Sequence, residues 1–219
     1  VDAQFLMERL MSVIPLILSL TVHEFAHAWS AYKLGDDTAA RMGRMTLNPV
    51  VHIDPIGTLL LPLLGIPFGW AKPVPVNPAR FRRSLSMSTG MMLTAVAGPA
   101  SNLLLAILCA VCLGLGLRWV PELFSTQQGL LQLLAVGMLM NVALAIFNML
   151  PIPPLDGSRV VEGLLPYRHR SLWERFSVIS PLLLFAVILS GGTFLSGPTR
   201  FATELLFELV AFLRPSMGA

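Results

Sequence analysis

The sequence predicts an all-α polytopic membrane protein, with about five to six transmembrane helices and a re-entrant segment after the first. Three observations carry this reading. Only 12% of the 219 residues are charged while 55% are hydrophobic, against roughly 25% charged in a soluble domain. The apolar residues gather into runs close to the roughly 20 residues that cross a bilayer. One apolar run is interrupted throughout by proline and glycine, which a simple spanning helix does not tolerate well. The same composition excludes collagen, disorder and nucleic-acid binding, which need a glycine period, polarity or a basic field. The two cysteines, Cys109 and Cys112, sit in one apolar run and supply neither a disulfide framework nor a zinc ribbon.

The first run covers about residues 4–32 and ends in a polar loop at 33–44. The interrupted run, about 50–70, contains Pro55, Gly57, Pro62, Gly65, Pro67 and Gly69. A basic, proline-rich loop follows at 72–83. Further spans are expected at about 89–117, 129–150 and 172–189, with a shorter last one at 201–213. No repeat and no appended soluble domain is visible, so residues 1–219 read as a single domain. Its motif-bearing core covers about 4–163, and the C-terminal helices about 172–213.

Basic residues mark the cytoplasmic side of a membrane protein. Lys72, Arg80, Arg82 and Arg83 place the 72–83 loop there, and Arg159, Arg168, Arg170 and Arg175 place the segment after Leu150 there too. Lys33, Arg41 and Arg44 give the first loop the same side. The 50–70 stretch then enters and leaves from one face, which its breakers suit; the alternative is a true span with one of the flanking loops on the other side. Arg80, Arg82 and Arg83 are expected to anchor at anionic headgroups. Short amphipathic pieces at 159–165 and 172–176 are expected at the interface.

The chemistry centres on His23-Glu24-Phe25-Ala26-His27. On a helix, positions i and i+4 share a face, so both imidazoles can reach one metal ion, and Glu24 between them can take a proton from a water activated there. Three ionisable residues within five positions of a span are costly and point to function. A catalytic zinc site wants a third protein ligand. The candidates in apolar surroundings are His52, Asp54 and Asp156. Asp156 follows Pro151, Pro153 and Pro154 at the cytoplasmic end of a span, on an extended and rigid segment at the depth of the two histidines. Asp54 before Pro55 reads as a turn former. His52 offers a ligand or substrate contact, or a group satisfying the broken backbone near Pro49 and Pro55. Asn48 and Asn148 are amides that could steady a developing oxyanion or hold a substrate backbone, against helix-to-helix hydrogen bonding.

The motif at 23–27, with Asn148 and the Pro-Leu-Asp156-Gly157 element, resembles the site-2 protease family of intramembrane zinc metalloproteases. Matching stretches are Thr46-Leu47-Asn48-Pro49, His52-Ile53-Asp54-Pro55, the run from Gly69 to Pro78, and Ala97-Gly98-Pro99-Ala100-Ser101-Asn102. The likeness is to a short form without a PDZ module or nucleotide-sensing tail, and no motif covers the last two spans. It implies one Zn2+ per chain on His23, His27 and Asp156, with Glu24 as general base. It also implies hydrolysis of transmembrane protein substrates within the bilayer, releasing a fragment to the cytoplasm. Beside Glu24, Asn148 is the expected catalytic amide, and Asn48 and His52 are the expected substrate contacts. We expect a multi-pass protein of a bacterial plasma or inner membrane, with its active site toward the cytoplasm and no nucleic-acid partner; the oligomeric state stays open. The alternative is a zinc- or proton-coupled transporter, which would want acids and histidines at stepped depths in several spans.

Overall fold

A computed structural model describes residues 3–65, 69–190 and 193–214. The described residues contain helices, turns and extended segments but no strand. In chain order the α-helices are α1 (Ala3–Leu34), α2 (Thr38–Arg41), α3 (Leu61–Leu63), α4 (Met87–Trp119), α5 (Pro121–Thr126), α6 (Gln128–Asn148), α7 (Asp156–Leu164), α8 (Arg170–Leu189) and α9 (Ser196–Leu213). Four of these are long and apolar enough to cross a membrane: α1 from Met11, α4, α6 and α8, the last window extending from Tyr167. The chain is a multi-pass membrane protein. The fifth long helix, α9, carries Arg200, Glu204 and Glu208 and does not belong to that set.

The centre of the fold is α4, which touches α1, α6, α7 and α9. Its hydroxyl N-cap is Ser86, accepting from the Thr89 N–H at 3.0 Å. Every fourth residue along one face is buried and small or polar: Gly90, Thr94, Gly98, Asn102, Ala106, Ala110 and Gly114. The opposite face carries Leu103, Leu104, Ile107 and Leu108, which are exposed. Both faces are apolar enough for lipid, so size rather than hydropathy sorts them, and small residues let neighbouring backbones approach. α6 repeats the device with Gly137, Asn141 and Ala145, all buried. Toward the C-terminal end of α4, Ala110 and Leu113 pack with Phe124, Met138 and Val210. That cluster lies roughly 20 Å along the helix from Gly98, at 1.5 Å per residue.

The interrupted stretch is a chain of short pieces. Residues Pro49–Val51 form a 3-10 turn capped by Asn48, and Pro55–Leu60 form a π-helix whose first N–H groups, of Ile56 and Gly57, bond to Asp54. α3 follows, and Gly65 ends it with φ +87°. Pro67 lies outside the described residues. Beyond it the chain comes back: Trp70 N–H bonds to the Gly57 carbonyl, Thr58 Oγ1 to the Trp70 carbonyl, and Lys72 N–H to the His52 carbonyl at 2.8 Å. A β-carbon on Gly57 would sit 2.4 Å from the Trp70 ring, so glycine is what lets the two limbs meet. From Lys72 to Asn77 the chain is a strap outside any helix.

Two local expectations change. Arg80 pairs with Asp37 at 3.0 Å instead of standing free for headgroups, because the strap folds back on the α1–α2 turn. Residues 172–176 are not a separate amphipathic piece but the opening turns of α8.

Candidate metal centre

α1 sets one wall of the site. Ser19, His23 and His27 recur at four-residue spacing on its buried face, at 1%, 5% and 8% exposure. The two imidazoles meet edge to face, with Nε2 atoms 3.0 Å apart. Asp156, the first residue of α7, brings Oδ2 to 3.1 Å from His23 Nε2 and 3.3 Å from His27 Nε2. The prolines before it stop α6 from continuing. Leu150, Ile152 and Leu155 then bury against Leu184 and Val187 of α8, which pins the segment that presents the carboxylate.

The far side of each ring fixes which nitrogen is free. His23 Nδ1 lies 2.6 Å from Asn102 Oδ1, and His27 Nδ1 lies 2.7 Å from the Thr94 carbonyl. Both partners only accept there, so each Nδ1 carries the ring proton and each Nε2 presents a lone pair. Three electron-pair donors thus face one another with no proton between them, and the buried Asp156 Oδ2 has no hydrogen-bond donor. Such a set is repulsive until a cation occupies it. Separations of 3.0 to 3.3 Å approach the edge of about 3.3 Å expected for a tetrahedron of ligands about 2.0 Å from zinc. The donor set therefore fits zinc. Among the described residues it is the one group of three or more His, Cys, Asp or Glu side chains close enough to hold a metal ion.

Glu24 is 8% exposed, and its Oε2 accepts the Val74 N–H of the strap at 2.8 Å. Glu24, both histidines and Asp156 line a cavity of about 1440 Å³ that Val74 and Pro73 also border. The strap is tied down at both ends: Arg44 donates to the Lys72 and Pro73 carbonyls, and Asp36 Oδ2 accepts the Asn77 N–H at 2.6 Å.

The remaining expected residues fare differently. Asn148 borders the cavity, but its Nδ2 donates to the Leu144 carbonyl of its own helix at 2.9 Å. Asn48 caps the turn after it, accepting from Val50 N–H. His52 is buried, with Nε2 donating to the Thr46 carbonyl. Neither Asn48 nor His52 borders the cavity. Sequence reasoning gave Gly98 and Asn102 only as part of the matching 97–102 stretch, with no role at the rings, and did not name Thr94; all three lie behind or beneath the rings. A β-carbon on Gly98 would stand 2.4 Å from His27 Nε2. The signal available was a buried-type amide and a glycine inside the 97–102 stretch.

Comparison with known proteins bears on part of the site and on the chain as a whole. The profile described as "Peptidase family M50" matches residues 120–191, a segment holding Asn148 and Asp156. "Putative zinc metalloprotease YwhC" of Bacillus subtilis is 44% identical over 177 residues, covering 79% of this chain and 78% of the relative. "Putative zinc metalloprotease Rip2" of Mycolicibacterium smegmatis is 35% identical over 160 residues, covering 71% of this chain and 58% of that longer relative. The protein of the same name from Mycobacterium tuberculosis strain H37Rv is 32% identical over 182 residues, covering 81% and 67%. No solved structure matches the chain.

Proposed function

Because the chain belongs to peptidase family M50, the site-2 proteases, we propose that it is a zinc metalloprotease that cuts transmembrane protein substrates within the bilayer. His23, His27 and Asp156 hold one Zn2+. The observation that carries this is the meeting of three deprotonated donor atoms, their tautomers fixed from behind, in the wall of a cavity. When bound, zinc supplies Lewis acidity that activates water and polarises the scissile carbonyl. Glu24 takes the proton of the attacking water and returns it to the leaving amine. The Val74 N–H holds Glu24 Oε2, so the carboxylate approaches the cavity in a set orientation. The cavity of about 1440 Å³ exceeds the roughly 300–1,000 Å³ of small-molecule sites, which suits an unwound stretch of polypeptide. Asn148 on the cavity wall is placed to meet its backbone, while Asn48 and His52 act at a distance by shaping the 46–54 turn.

The 50–70 stretch is read as re-entrant, supported by the hydrogen bonds that join its two limbs. We count α9, less apolar than the other four long helices, as a fifth crossing on the strength of its packing against α4, and read residues 1–219 as one domain. We read the active site as facing the cytoplasm of a bacterial cell membrane, a reading that the basic residues flanking the site end of α1 and the strap support for the orientation. A transport path would need further ligands at other depths, and no second metal-binding group exists among the described residues.

The test is cleavage of a fluorogenic transmembrane peptide by the purified chain, with zinc content measured alongside. Glu24→Gln is expected to keep its zinc and lose about 10²–10⁴-fold in rate, the usual worth of general acid–base catalysis. Undiminished cleavage by that variant would remove Glu24 from the mechanism. Absence of zinc from the wild type would sink the metalloprotease reading.

A further inference from the structure

Behind His23 lies a closed polar network, built from α1, α4 and α6, that the reaction itself does not use. Ser19, Asn102 and Asn141 are 0–1% exposed. His23 Nδ1–H donates to Asn102 Oδ1 at 2.6 Å. Asn102 Nδ2 donates to Asn141 Oδ1 at 2.7 Å and to the Ser19 carbonyl at 3.3 Å. Asn141 Nδ2 donates to Ser19 Oγ and to the Gly137 carbonyl, each at 2.8 Å. Ser19 Oγ can accept there because its own proton goes to the Pro15 carbonyl at 2.6 Å. Each of these donors and acceptors has a single assignable role.

The two histidines differ in what holds them. His27 leans on a backbone carbonyl, which can only accept. His23 leans on an amide, which has two orientations and could equally turn Nδ2 toward the ring. That reversal would set Asn102 Oδ1 against Asn141 Oδ1 and the Ser19 carbonyl, leaving buried acceptors without a proton. It would also demand a lone pair from His23 Nδ1 and so force the ring proton onto Nε2, the atom that faces Asp156. We propose that Asn141, held by Ser19, fixes the orientation of Asn102 and thereby the tautomer of His23. The three are positioning residues of the metal centre, acting from the junction of three helices. The inference rests on the reading that His23 binds zinc.

The test uses the full chain in detergent, with zinc affinity measured by chelator competition and the Co2+-substituted absorption spectrum as a second readout. His23→Ala is the control: unchanged zinc binding there would overturn the metal-site reading itself. Asn141→Leu is expected to weaken zinc binding about 10- to 100-fold, as changes behind a ligand do, and to alter the Co2+ bands. Asn102→Asp replaces the amide by a carboxylate whose two oxygens both accept, so orientation no longer matters. In that background Asn141→Leu is expected to weaken zinc binding by less than it does in the wild type. Equal losses in both backgrounds would mean that Asn141 only packs, and the proposal would fall. Full affinity in Asn141→Leu, with His23→Ala defective, would overturn the network while sparing the metal site. Should Asn141→Leu not fold, Ser19→Ala takes its place in the same pairing.

Discussion

Gly98 shows how a residue without a side chain can govern the site. Its absent β-carbon would lie 2.4 Å from His27 Nε2 and 2.6 Å from His23 Cε1, on the metal-facing edges of both rings. Gly98→Ala is therefore expected to displace the imidazole pair, lowering zinc affinity about tenfold or more at a stability cost of about 1–3 kcal/mol for overpacking. Competition titration and thermal unfolding of the same preparations separate the two effects; unchanged affinity would mean the rings can retreat without loss. Gly157 is less forgiving still, because the atom opposing its β-carbon is the Met149 carbonyl, 2.2 Å away, and backbone cannot step aside. His23, Glu24 and His27 were legible in the sequence because their geometry is local to one helix, and Asp156 because its proline-rich setting gave its depth. Gly98, Asn102 and Asn141 were not, since their roles depend on which helix faces which. Asn48 and His52 looked like site residues because polar groups in apolar sequence stand out, yet both satisfy the backbone of the turn they belong to.

At the scale of elements, the strap from Lys72 to Asn77 is the piece whose position matters most, because it holds Glu24 with a backbone N–H. Asp36 anchors it. This carboxylate is 1% exposed; Oδ1 accepts from the Thr38 N–H and hydroxyl, and Oδ2 from the Asn77 N–H. Asp36→Ala leaves those donors unmatched and is expected to cost about 1–3 kcal/mol. Hydrogen exchange at the Asn77 and Val74 amides should speed up, with cleavage falling as Glu24 loses its partner; protection equal to wild type would show that Arg44 alone holds the strap. The broken character of residues 50–70 was readable from proline and glycine. Its π-helix was not, because a fifth-residue hydrogen bond leaves no clear sequence period. The buried face of α4 was hidden for a different reason. Hydropathy cannot distinguish lipid from protein as a neighbour, whereas the four-residue recurrence of small side chains from Gly90 to Gly114 does.

For the whole molecule, the arrangement makes sense only in a bilayer. α8 meets the rest through a few contacts, the Ser180 hydroxyl on the Pro153 carbonyl and Leu184 and Val187 on the cluster before Asp156. Only 6% of its apolar window is buried. Val178 and Leu182 are 80% and 75% exposed, and in water such a surface would drive aggregation. In lipid it costs nothing, and α8 then needs little from its neighbours beyond fixing the segment that carries Asp156. Cysteines placed at 178 and 182, in a background with Cys109 and Cys112 replaced by alanine, test this directly. In sealed proteoliposomes both positions are expected to resist a membrane-impermeant maleimide from either face, and to react once the chain is unfolded in denaturant. A cysteine at Arg83, in the basic loop, should react from one face alone, which also reads the orientation. Reaction at 178 and 182 from the aqueous phase would put α8 outside the hydrocarbon layer. The zinc site would then be braced by a helix lying at the surface, and the number of crossings would fall accordingly.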